Sequence, residues 1–133
     1  MITSLTLSTR SRNEFVDLTS RVQNVVRESG LASGVCTIYV PHTTAGITIN
    51  EGADPSVQRD ILTHLENMIP HRGDYHHLEG NSDAHIKASL MGSSQTVFVE
   101  ESRLVLGTWQ AIYFAEFDGP RQRKVMVRVT GTE

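Results

Sequence analysis

The sequence predicts an α+β fold, and three observations carry that expectation. Both ends of the chain alternate apolar and polar residues with the period of strands. Two interior stretches, around Val22 to Val26 and Val57 to Met68, repeat apolar residues at helical spacing. The long segment Leu104 to Phe117 carries large apolar groups on both of its faces. A strand buried on both sides needs a second sheet against one face and helices or another subunit against the other. A chain of 133 residues is expected to form a single domain over 1–133 and to bury roughly two-thirds of its unfolded surface.

The elements follow in order. Ile2 to Thr9 alternates about an apolar face containing Leu5 and Leu7, and Asn13 to Leu18 is expected to be its hairpin partner. Val22, Val25 and Val26 then fall on one helical face, with Thr19 or Ser20 as N-cap and Gly30 as terminator. Val35 to Val40 is a β-branched strand. Ile47 to Asn50 resumes after a turn, which leaves His42 at a strand end. Asp54-Pro55 starts a helix carrying Ile61, Leu62, Leu65 and Met68, and Pro70 and Gly73 close it. His71 to Ser82 has no period and is expected to be a long loop. Asp83 can cap a short helix ending at Gly92, with His85 in its first turn. Thr96 to Val99, Leu104 to Phe117 and Lys124 to Val129 complete the strands, joined by turns at Glu100 to Arg103 and Asp118 to Arg121.

Composition narrows the function. A net charge of -3 without a basic block argues against a nucleic-acid surface, and no apolar run is long enough to cross a membrane. The lone Cys36 has no partner, reads as a buried structural thiol, and together with the lack of a leader-like start suggests a reducing cytoplasm.

His42, His77 and His85 are the most informative residues, because neutral imidazole is the commonest protein ligand for transition metals. Their spacing matches no self-contained zinc motif, so hydrogen-bonded roles for each stay open. His64, His71 and His76 read as packing or solvated groups. Glu51, Glu79, Asp83 and Glu116 can orient imidazoles or serve as a general base. Asn81, Ser93 and Ser94 flank the short helix with donors suited to phosphate oxygens, Lys87 favours an anion there, and Arg121 at its turn can grip a phosphate with two bonds.

Three stretches together, Pro-His-Thr-Thr-Ala-Gly-Ile-Thr-Ile-Asn-Glu from Pro41, His-Leu-Glu-Gly-Asn-Ser-Asp-Ala-His-Ile-Lys from His77, and Leu-Gly-Thr-Trp-Gln from Leu106 through Phe-Asp-Gly-Pro-Arg to Arg121, resemble the YjbQ-like family, often labelled secondary thiamine-phosphate synthase. The resemblance spans essentially the whole chain. It implies a two-sheet sandwich of seven strands with flanking helices, a homotrimer, and a metal pocket with His42, His77 and His85 as ligands. The label implies joining hydroxymethylpyrimidine diphosphate to thiazole phosphate with loss of pyrophosphate. A physical account of that reaction is the hypothesis that the metal and Arg121, with Lys87, neutralise the departing pyrophosphate while Glu116 binds or orients a ring amine. Three imidazoles suit zinc or nickel better than the magnesium usual in diphosphate chemistry. Two alternatives follow: a metal-dependent hydrolase with Glu51 or Glu116 as base, and a trimeric binder of a metal or phosphorylated metabolite.

Overall fold

A computed structural model describes residues 1–132. It is an α+β structure of eight strands and three helices, in the order β1 (Ile2–Ser8), β2 (Glu14–Asp17), α1 (Thr19–Ser29), β3 (Gly34–Tyr39), β4 (Ala45–Glu51), α2 (Pro55–Met68), α3 (Ser82–Met91), β5 (Ser94–Glu100), β6 (Arg103–Leu104), β7 (Gln110–Glu116) and β8 (Gln122–Gly131). One sheet has the order β1-β8-β3-β5-β6 and the other β2-β7-β4. Every pairing is antiparallel.

The alternation of β1, β3, β5 and β8 sends Leu7, Cys36, Ile38, Val97, Val99, Val125 and Val127 into one core, where they meet Ile47, Ile112 and Phe114 of the smaller sheet and Val22, Val25 and Val26 of α1. The opposite face of the larger sheet is open, with Ile2, Tyr39 and Phe98 exposed. Burial raises the Cys36 thiol to about 11, which makes it an inert core group.

Three expectations are corrected. The partner of β1 is β8, in register from Ile2 opposite Arg128 to Ser8 opposite Gln122, while β2 crosses to the other sheet and pairs with β7. The crossing is held at Thr9, whose hydroxyl donates to Glu116, and at Phe15, whose ring stacks on Tyr113 at 5.6 Å. The segment Leu104 to Phe117 is two strands, because the chain bends at Gly107, whose amide donates to the Gln110 side chain at 2.8 Å. That bend leaves Trp109 exposed and makes eight strands where seven were expected. Finally, none of Thr19, Ser20 and Asp83 caps its helix by its side chain. The Thr19 hydroxyl accepts from the Ile112 amide, and Asp83 turns inward to ion pairs.

The doubly apolar β7 is covered within the chain. Ile112 and Phe114 enter the core between the sheets, and Ala115 with the following Phe117 packs against Ala84, Ala88, Leu62, Leu65 and Met91 of α2 and α3. α2 begins as expected, with Asp54 accepting from the Ser56 amide at 2.9 Å and Pro55 at the first turn. No described helix is long and apolar enough to cross a membrane.

Candidate functional site

The site grows from the end of β3. Val40 donates its amide to the Ser93 carbonyl at 2.8 Å, Pro41 has no amide to donate, and His42 follows where the ladder with β8 has stopped. The His42 Nε2 accepts from the Lys124 amide at 3.0 Å, so the ring is anchored on β8. Ile47 of β4 donates to the Gly92 carbonyl at 3.0 Å, which draws the end of α3 against β4. That approach requires glycine at position 46, because a Cβ there would lie 2.6 Å from the Gly92 oxygen. α3 presents His85, Ala88 and Ser89 to the same space at helical spacing. The result is an open cavity of about 490 Å³ lined by His42, Thr43, His85, Ser89 and Ser93.

His85 is also a wall of a second depression, of about 450 Å³, lined by Tyr75, His76, His77 and Ser82. The rings of His77 and His85 are perpendicular with centres 5.5 Å apart. Glu79 Oε2 lies 3.8 Å from His77 Nε2. His85 thus joins the two depressions, one holding His42 and the other His77.

Behind His42 lies a sealed ion pair. Arg123 donates to both oxygens of Glu116 and, at 2.9 Å, to the Thr44 hydroxyl, while Thr9 and the Asp118 amide also donate to Glu116 at 2.7 and 2.9 Å. Burial pushes the Glu116 carboxyl up, but the Arg123, Asp118 and Thr9 hydrogen bonds outweigh it and the net value lies below the usual glutamate range. Burial, and then the Arg123 charge, hold the His42 imidazole below its ordinary value, so the neutral form is favoured.

Of the residues singled out in the sequence, His42, His85 and Ser93 line the cavity and His77 adjoins through His85. The others stand elsewhere. Lys87 is only 1% exposed and its ammonium lies between Glu66 and Asp83, so it braces α3 instead of facing a ligand. Glu116 has no exposed surface and all its oxygens are engaged. Glu51 is at the far end of β4, six residues from Ala45 or roughly 20 Å along the strand, with Oε2 accepting from the Ala53 amide. Asn81 donates to Asp118 at 2.9 Å. Arg121 is half exposed and holds Asp118 through Nε and a terminal nitrogen. Ser94 begins β5 opposite Tyr39, outside the cavity lining. His71 closes the loop after α2 with Nε2 2.9 Å from the Gly80 carbonyl.

Arg123 and Thr44, which set the environment of His42, were not singled out for that role. The sequence does hold a signal: Arg123 falls in phase with Val125 and Val127, so strand alternation turns a guanidinium inward, where it needs a carboxylate.

The fit to a metal divides the histidines. Two imidazoles on one zinc, each nitrogen about 2.0–2.1 Å away, put ring centres roughly 5 Å apart. The His77–His85 spacing of 5.5 Å fits that requirement. His42 does not fit, because its Nε2 lone pair is occupied by the Lys124 amide. Among the described residues no group of three or more His, Cys, Asp or Glu side chains is arranged to hold a metal ion.

The fold and cavity define a class, a small two-sheet α+β protein with a histidine-lined site beside the short helix that follows a long loop. The pattern of the family described as UPF0047 protein YjbQ-like matches residues 3–132, and the chain belongs to that family. It is 52% identical over 131 residues to a UPF0047 protein of Methanocaldococcus jannaschii, covering 98% of this chain and 95% of that one. It is 50% identical over 133 residues to UPF0047 protein YugU of Bacillus subtilis, covering 98% of this chain and all of that one. Among solved structures, an uncharacterized YugU orthologue from Clostridium acetobutylicum superposes with a TM-score of 0.95 at 56% identity, over 96% of this chain and 99% of that one. A YbjQ-like protein of unknown function from Sulfolobus solfataricus P2 superposes with a TM-score of 0.95 at 35% identity, over 99% and 97%.

Proposed function

We propose that the protein uses His77 and His85 to hold a divalent metal, zinc before nickel or magnesium, and takes a small phosphorylated metabolite into the adjoining cavity for hydrolysis. The carrying observation is that His85 is a wall of both depressions, so an ion on the histidine pair would border the ligand space. Such an ion would supply Lewis-acid polarisation of a phosphoryl oxygen. The chain's own contribution is positional. Ser93 offers a hydroxyl and His42 a ring N–H.

Thiamine phosphate synthesis is a weaker use of this site. Condensation with loss of pyrophosphate calls for free cations at the departing group, yet Lys87 is enclosed by Glu66 and Asp83 and Arg121 is engaged with Asp118. Glu116, the residue assigned to a ring amine, is enclosed by Arg123 and Thr9. The test is protein purified without an affinity tag, assayed for bound metal, for phosphoester hydrolysis and for condensation of the pyrimidine and thiazole phosphates. Hydrolysis abolished by a chelator and by His77→Ala or His85→Ala supports the proposal. Condensation that survives both variants overturns it, and tight phosphate capture without turnover leaves a binding protein.

A homotrimer is part of the proposal. Its support is the open face of the larger sheet, where Ile2 and Tyr39 stand exposed around one depression with Met126 and Phe98 is exposed further along the same face. Light scattering should give three times the chain mass, and a stable monomer would sink this part.

A further inference from the structure

We infer that His42 is locked as the neutral Nδ1–H tautomer and meets the cavity's ligand as a hydrogen-bond donor to a phosphoryl oxygen, outside any metal shell. This deepens the proposed function and rests on its phosphorylated ligand.

The lock comes from where two strands part. β3 and β8 are paired as far as Tyr39 and Met126, and beyond that point Lys124 keeps its amide pointed at the place the ladder has vacated. Pro41 stands next in the chain and the ring of His42 fills the gap, with Nε2 accepting at 3.0 Å. A neutral imidazole has one lone-pair nitrogen and one N–H. With the lone pair of Nε2 occupied, the hydrogen belongs on Nδ1, and Nδ1–H is the only polar hydrogen this ring can offer to the cavity it lines.

The alternatives each lose something definite. Rotating the ring by a half-turn sets a carbon against the Lys124 amide, which then has no acceptor. Protonating Nε2 sets two N–H groups against each other. A metal on Nε2 must detach the ring from β8, and a metal on Nδ1 must first remove the ring's last hydrogen. The surroundings act in the same direction: Arg123 and Arg121 place positive charge near this ring, countered by the buried Glu116, which is itself neutralised by Arg123. That field opposes a dication at His42 and favours an anionic oxygen.

Ring nitrogen–proton correlation spectra of the full chain labelled with ¹⁵N test this. Without metal, His42 should show an unprotonated Nε2 and a protonated Nδ1. Added zinc should shift the rings of His77 and His85 and leave His42 in place, and inorganic phosphate should then shift the His42 Nδ1 signal. His42→Phe should weaken phosphate binding about 10-fold or more. A protonated Nε2, a zinc-induced shift of His42 as large as that of His85, or no response of His42 to phosphate would each overturn the inference. Zinc that moves none of the rings would defeat the metal site while leaving the His42 tautomer and its phosphate response to be judged from the same spectra.

Discussion

Two charge clusters flank the cavity, one buried and the other partly open to water, and they are finished to different degrees. On the β8 side, Glu116 and Arg123 satisfy each other and draw in Thr9, Thr44 and the Asp118 amide. On the α3 side, Arg12 bridges Asp83 and Asp118 at 3.1 and 3.3 Å, and Lys87 joins Asp83 to Glu66. In that second cluster Arg12 Nε, Asn81 Oδ1 and Asp83 Oδ2 are buried with no hydrogen-bond partner. The first cluster anchors a strand end and the ring of His42. The second ties the first turn of α3, and with it His85, to three separate loops and helices. A fully paired buried network holds its geometry more tightly than one with orphaned atoms, so His42 should be the fixed side of the site and His85 the adjustable one.

The sharpest break in this contrast is Arg123→Met. It leaves the Glu116 carboxylate buried without its charge partner and should cost about 3–5 kcal/mol, read from urea unfolding. Adding Glu116→Gln to that variant should return a large part of the loss, and no recovery would mean that packing, not charge, is what Arg123 provides. Acid should reveal the same pair. Because the folded-state value of Glu116 lies below its ordinary 4.5, the pair's stabilisation is complete above that value and is lost as pH falls through the folded one. Stability should therefore drop on acidification from about pH 5 downward, and Glu116→Gln should flatten the drop. An unchanged slope would remove Glu116 as its source.

On the α3 side the effects should be smaller. Lys87→Met should cost about 1–3 kcal/mol, because Glu66 is partly reached by water and Asp83 keeps Arg12. Equality with Arg123→Met would erase the distinction between the clusters. Smallest is Asn81→Ala, which removes one hydrogen bond to Asp118 and should cost roughly 0.5–1.5 kcal/mol. A larger loss would show that Asn81 Oδ1 is satisfied in solution.

The strands were visible in the sequence because burial on one face leaves a period of two, and α2 because Asp54-Pro55 is a local signal. Pairing was not visible. β1 and β8 lie at opposite ends of the chain, and nothing local to Asn13–Leu18 distinguishes a hairpin return from a crossing to the second sheet. His42, His85 and Ser93 stood out as candidates by their chemistry and their places at element ends, and all three line one cavity. Lys87 and Glu116 misled for the opposite reason. A charged residue is by default a surface group, and only the tertiary positions of Glu66, Asp83 and Arg123 show that these two are internal braces.

The placement of β8 between β1 and β3 has a consequence for biosynthesis. Until the ribosome has delivered residues 122–131, β1 has no neighbour and one edge of β3 lies bare, although β3 to β7 are already available to pair. The same late strand carries Arg123 and the Lys124 amide. A growing chain therefore holds His42 before it can orient it, and that side of the cavity is completed last, in the same step that seals the exposed edge.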